Sequence, residues 1–289
     1  MELEILAVYE NLDNYILEME KENSDCEMLW NQYAIQPYWK KISQWAPFDM
    51  SDRKPKPIKN ISKLKQQLEV MKKIDLKEIK DKFMQIANTL PNYDDDTIVI
   101  SIYPVDDDNL TVKEQQNGVW GVNVFGNIIL NINPLAEDYL KWIPYVFAHE
   151  YHHTVWGNYW NVIHGGRTRR FIESILIDGE ADAFAKSFNP SLNPKWISQI
   201  SKEQERELWN KHYLKLLNET NVDYVKYMFG DTESGIPWCT GYFFGYRIIE
   251  SFKKFYPLTS VKEIIEMSSE DIYAMSNYGL QCTFDENIL

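Results

Sequence analysis

The sequence has no basic excess, no long apolar run, no internal repeat and little cysteine or histidine, and each shortage excludes a class of protein. Its 289 residues carry 30 Lys and Arg against 43 Asp and Glu, a formal net charge of −13. No basic block exceeds a few residues, so the counterion release that drives nucleic-acid binding has no footprint. DNA, RNA and anionic membranes are not expected partners. No stretch approaches the roughly 18 apolar residues of a membrane span. The opening MELEILAVYENLDNY is acidic where a signal or transit peptide needs positive charge, and a cytoplasmic protein is expected. Cys26, Cys239 and Cys282 are odd in number, widely spaced and free of CxxC spacing, which fits reduced thiols rather than a disulfide framework. Oligomeric state has no signature in the sequence.

What the chain does have is apolar and aromatic surface: 44% hydrophobic residues, with 10 Trp and 18 Tyr. That is too much for a disordered acidic chain and enough for a sizeable core. Residues 2 to 46 carry apolar positions at helical spacing, and the segment DRKPKP at 52 to 57 breaks the pattern. Leu64, Leu68 and Met71, then Ile79, Phe83 and Ile86, repeat at three and four residues and predict two further amphipathic helices. The period changes at Thr97, where TIVISIY predicts a strand. Residues 119 to 125 and 128 to 132 predict two more, joined at Gly126-Asn127 as a tight hairpin. From Leu135 the chain is mostly helical again. The acidic triplets at 94 to 96 and 106 to 108 lack calcium-loop spacing and are expected to be solvated turns.

Of five histidines, three fall within His149-Glu150-Tyr151-His152-His153, an HExxH pattern. On a helix, positions 149 and 153 lie one turn apart on one face, where two imidazoles can share a tetrahedral zinc ion. Glu150 lies beside them, placed to take a proton from water. His152 falls off that face and is expected to pack behind a ligand. The pattern HxxGxxH does not follow, which excludes a metzincin. The next helix, RRFIESILIDGEADAFAKSF over 169 to 188, offers Glu173, Asp178 and Glu180 as a third ligand. At about 100° per residue, Asp178 and Asp182 share one face with small residues, whereas Glu173 and Glu180 share another. Phase therefore favours Asp178 and leaves Glu180 and Glu173 as alternatives, with Asp182 one turn on to hydrogen-bond a ligand histidine. Downstream, Gly241-Tyr242-Phe-Phe-Gly245-Tyr246 reads as a closely packed helix. Tyr242, Tyr246 and His164 are candidates for stabilising an oxyanion.

HEYHH, IDGEADAFA and PWCTGYFFGYRII together resemble a bacterial family of predicted zinc-dependent proteases, a gluzincin-like group catalogued as a domain of unknown function, over roughly residues 97 to 255. The resemblance implies His149 and His153 as zinc ligands and Glu150 as the catalytic glutamate. It also aligns Asp178-Gly179-Glu180-Ala181-Asp182 with the family's Glu-Gly-x-Ala-Glu/Asp element. Where the family usually has Glu, this chain has Asp178.

The expected fold is α+β: an N-terminal helical region over 1 to 95, then a mainly helical zincin-like domain with a small sheet over 96 to 289. The expected activity is zinc-dependent hydrolysis of a peptide or protein substrate, which would add as a strand near residues 119 to 132. The rivals are a catalytically silent zincin scaffold with a regulatory or binding role, and an acidic helical interaction protein in which HEYHH is accidental.

Overall fold

The computed structural model describes residues 2 to 283. The fold is α+β and mainly helical with one small four-stranded sheet. The chain divides into two compact units, residues 1 to 158 and 159 to 289. No helix among the described residues is long and apolar enough to cross a membrane.

The first unit is built on the sheet. Strand β1 (Glu2–Ala7) leads through helices α1 (Asp13–Met19), α2 (Cys26–Trp30), α3 (Gln36–Ile42), α4 (Ile61–Met71) and α5 (Leu76–Thr89) to β2 (Thr97–Pro104). Strands β3 (Val119–Val124) and β4 (Asn127–Ile132) follow, then the long helix α6 (Tyr139–Gly157). The sheet order is β1-β2-β4-β3, with β1 and β4 parallel to β2, and β3 antiparallel to β4 at one edge.

Strand β2 is buried from Ile98 to Pro104, which explains its continuous apolar run, since a strand between parallel neighbours is covered on both faces. Leu64, Leu68 and Met71 on α4 and Ile79, Phe83 and Ile86 on α5 are all buried, as their spacing predicts.

Three expectations change. The first residues, taken as helix, form β1 and pair with β2 from Glu2–Thr97 to Ala7–Ile102. Pairing with β2 satisfies the backbone groups of these six residues, and the local apolar spacing does not report that distant partner. Strand β1 thus shares a sheet with residues beyond 95, and the break between compact units falls after Asn158.

The hairpin turns at Phe125-Gly126, whose φ angles of 48° and 97° belong to the left-handed region, and not at Gly126-Asn127. Asn127 is the first residue of β4. Its Oδ1 accepts from the Val99 N–H at 2.9 Å, and its Nδ2 donates to the Ile42 carbonyl at 2.9 Å, so its polarity serves the sheet.

The third change is Asp107, buried rather than solvated. It pairs with Lys113 and Lys63 and accepts from Asn133 Nδ2 at 2.9 Å. Burial pushes its carboxyl up, but Asn133 and the two lysines outweigh that and hold it below the usual carboxylate range.

The second unit is mainly helical among its described residues, with a single isolated antiparallel bridge between Asp231 and Ile236. Helix α7 (Phe171–Phe188) packs against α11 (Thr240–Phe255). Between them in sequence come α8 (Lys195–Ser198), α9 (Lys202–Leu208) and α10 (Tyr224–Phe229), and after α11 come α12 (Val261–Glu266), α13 (Ser269–Ser276) and α14 (Tyr278–Thr283). The core gathers Ile175, Leu176, Trp209, Tyr213, Phe244 and Phe252. At the α7–α11 crossing, glycine meets glycine: a Cβ on Gly179 would overlap the Gly245 backbone, and one on Gly245 would overlap the Ile175 carbonyl. The glycines of α11 are close-approach positions, as expected.

Candidate metal centre

Helix α6 carries three stripes set by its 3.6-residue period. Phe147 and Tyr151 face α5: Phe147 stacks on Phe83 at 3.9 Å between centroids, and the Tyr151 phenol donates to the Leu90 carbonyl at 2.8 Å. Glu150 and Thr154 face β3. The Asn123 amide donates to the Glu150 carbonyl at 3.1 Å and to Thr154 Oγ1 at 2.9 Å, and Thr154 Oγ1 donates to the Gly126 carbonyl at 3.0 Å. His149 and His153 form the third stripe, with their Nε2 atoms 3.0 Å apart and their rings at 89°.

That separation suits two ligands of one ion. Two nitrogens about 2.0–2.1 Å from a tetrahedral zinc stand roughly 3.3 Å apart. His149, His153 and Asp178 each offer one ligand atom, and the three atoms lie within 4.8 Å of one another. Two imidazoles and one carboxylate are a donor set that fits zinc. Glu173 and Glu180 are outside this group. The Glu173 carboxylate instead accepts the N–H groups of Thr168 at 3.0 Å and Arg169 at 2.6 Å, satisfying donors where α7 begins. Glu180 is buried, and burial raises its pKa well above the usual carboxylate range.

A family model described as "Predicted Zn-dependent protease (DUF2268)" matches residues 75 to 274, more than half of the chain. The chain belongs to this family. Among curated relatives, the uncharacterized protein YjfC of Bacillus subtilis (strain 168) is 25% identical over 200 residues, which cover 64% of this chain and 62% of that protein. The chain therefore spans less than two thirds of that relative's length. No solved structure matches the chain.

The other sequence candidates occupy distinct settings in this family member. Asp182, one turn beyond Asp178 on α7, is fully buried, and both its oxygens accept from the Trp196 indole N–H, at 3.0 and 3.1 Å. His152 is fully buried, its ring 6.3 Å from that of His153. Tyr246 is buried on α11 with its hydroxyl 3.4 Å from Glu250 Oε1 and Lys186 Nζ 5.5 Å from its ring centre. Burial, then the carboxylates of Glu250 and Asp182, push its phenol up. Tyr242 is half-buried on the same helix, 5.7 Å from Phe229 between ring centroids. His164 is exposed, its ring 4.3 Å from that of Tyr159.

Three residues with a bearing on the site have no motif. Asn123 and Thr154 tie β3 to α6, and Trp196 grips Asp182. Gly121 is the fourth, and it does have a signal, a glycine inside a strand. Its Cα lies so close to Glu150 that a Cβ would overlap that side chain.

Proposed function

We propose that this chain is a zinc-dependent peptidase in which His149, His153 and Asp178 hold the metal and Glu150 is the general base. The observation that carries the assignment is the convergence of two imidazoles and a carboxylate, with a glutamate between the two histidines in the chain. A purely structural zinc site needs ligands but no such base.

Zinc, when bound, supplies Lewis acidity toward a water molecule and a carbonyl oxygen. Glu150 accepts a proton from the attacking water and returns it to the departing amine. Its burial at 7% exposure shields that exchange from bulk solvent. Asp182, gripped by Trp196, orients a ligand histidine, and His152 packs behind the ligand pair. The peptide backbone adds to β3, which among the described residues pairs as a strand with β4 alone and so leaves one edge of its backbone to a substrate strand. The phenols of Tyr242 and Tyr246 are the proposed oxyanion donors. Phenylalanine at the one that serves should lower kcat by about 10²-fold or more, as loss of one oxyanion donor does, with KM little changed.

The deciding experiment is Glu150→Gln, which keeps size and removes basicity. The variant should bind one zinc per chain by elemental analysis and cleave a peptide pool about 10²–10⁴-fold more slowly than the wild type, leaving a small residual rate. Wild-type turnover by Glu150→Gln would overturn the assignment of the base.

A further inference from the structure

We infer that Gly121 is a positioning residue for Glu150: the missing side chain on β3 is the slot that holds the glutamate carboxylate. The inference rests on the proposed role of Glu150 as proton acceptor.

Three observations support it. A Cβ built on Gly121 stands 2.5 Å from Glu150 Oε1 and 2.7 Å from Cδ, well inside van der Waals contact. Next, the backbone gives no other reason for glycine at this position. Gly121 lies within regular β3, paired with Leu130, and its φ is outside the left-handed region, so any residue could adopt its conformation. Glycine in a strand interior weakens the strand, and β-branched or aromatic residues fit better. Finally, the distance between the strand and α6 is fixed nearby. Asn123, two residues on and on the same face of β3, bonds the Glu150 carbonyl and Thr154 Oγ1. With the helix held there, the Glu150 side chain must run along the face of β3 at position 121. Any larger residue would drive the carboxylate elsewhere. The proposed substrate strand and the proposed base are thereby registered on one another through a single residue.

The test is Gly121→Ala, alone and combined with Glu150→Ala, measured for zinc content and for kcat and KM on a cleaved peptide. Gly121→Ala alone should keep one zinc per chain and lower kcat by about 10²-fold, the cost of a misplacement of about 1 Å, with KM little changed. Added to Glu150→Ala, whose shortened side chain leaves room for a methyl, it should cost no further residual activity. Wild-type kcat in the single variant, equal losses in both backgrounds, or loss of the metal would each overturn the inference. If the wild type cleaves no peptide, the peptidase assignment fails by itself. The crystal structure of Gly121→Ala then decides: a displaced Glu150 side chain supports the slot, and an unmoved one removes it.

Discussion

Four acidic side chains on α7 look alike in the sequence and have different work in the fold. Glu173 closes the helix start, Asp178 joins the two histidines, Glu180 is buried with its pKa driven up, and Asp182 is gripped by an indole. Helix phase separates Asp178 and Asp182 from Glu173 and Glu180, because 100° per residue decides which carboxylates share a side. It says nothing about Trp196, which is 14 residues away and reaches Asp182 by tertiary packing alone. These settings predict an order of zinc affinities, measured by competition with a chelator. Asp178→Ala should lose most of its affinity, and Asp182→Ala should lose about 10 to 100-fold, as for a group that orients a ligand. Glu180→Ala should keep the wild-type stoichiometry. If Glu180→Ala loses the metal while Asp178→Ala keeps it, the ligand has been misassigned. Glu173→Ala should bind zinc normally and cost about 0.5–2 kcal/mol of stability in urea denaturation, as lost helix-start capping does.

Among the elements, α6 and the β3–β4 hairpin were legible as such, and their interlock was not. HExxH announces one stripe of α6, and the 119 to 132 segment announces a hairpin. The turn residue, however, is set by which pair closes the ladder, and Val124–Asn127 closes it. Asn127 reads as a turn residue by composition, yet it links β4 to Val99 and Ile42. Asn127→Ala should therefore destabilise the fold by about 1–3 kcal/mol, because it leaves a buried N–H and a buried carbonyl unpaired. Replacing a true turn asparagine would cost far less, so a loss under about 0.5 kcal/mol in urea denaturation would contradict the linking role of Asn127. The α7–α11 crossing makes a parallel case. Gly245→Ala adds a methyl where the Ile175 carbonyl already stands, and overpacking of this kind costs about 1–3 kcal/mol or more. A helix-propensity argument alone predicts the opposite sign, a gain of roughly 0.8–1.0 kcal/mol, so thermal denaturation discriminates between the two.

For the whole molecule, the cysteines offer a direct probe of packing. All three are free; Cys239 and Cys282 are buried, and Cys26 is partly so. Burial pushes the Cys282 thiol up to about 11 and raises that of Cys239 further, with Asp182 and Asp178 adding to the latter. Thiolate is the reactive form, so at pH 8 neither buried group should react quickly. Thiol titration without reductant should find three groups in the denatured protein and at most one fast group, Cys26, in the native one. Fast reaction of two or three native thiols would contradict the burial of Cys239 and Cys282.

By itself, the sequence determined what depends on neighbours a few residues apart: the amphipathic faces of α4 and α5, the buried run of β2, the HExxH stripe and the phase of Asp178. Each follows from a local period that the chain carries with it. Tertiary structure decided what depends on distant partners. Strand β1 exists because β2, 95 residues away, supplies its hydrogen bonds, and Asp107 is buried because Lys63, Lys113 and Asn133 surround it. Gly121 matters because α6 crosses β3 there, a proximity between residues 29 apart that no periodicity encodes.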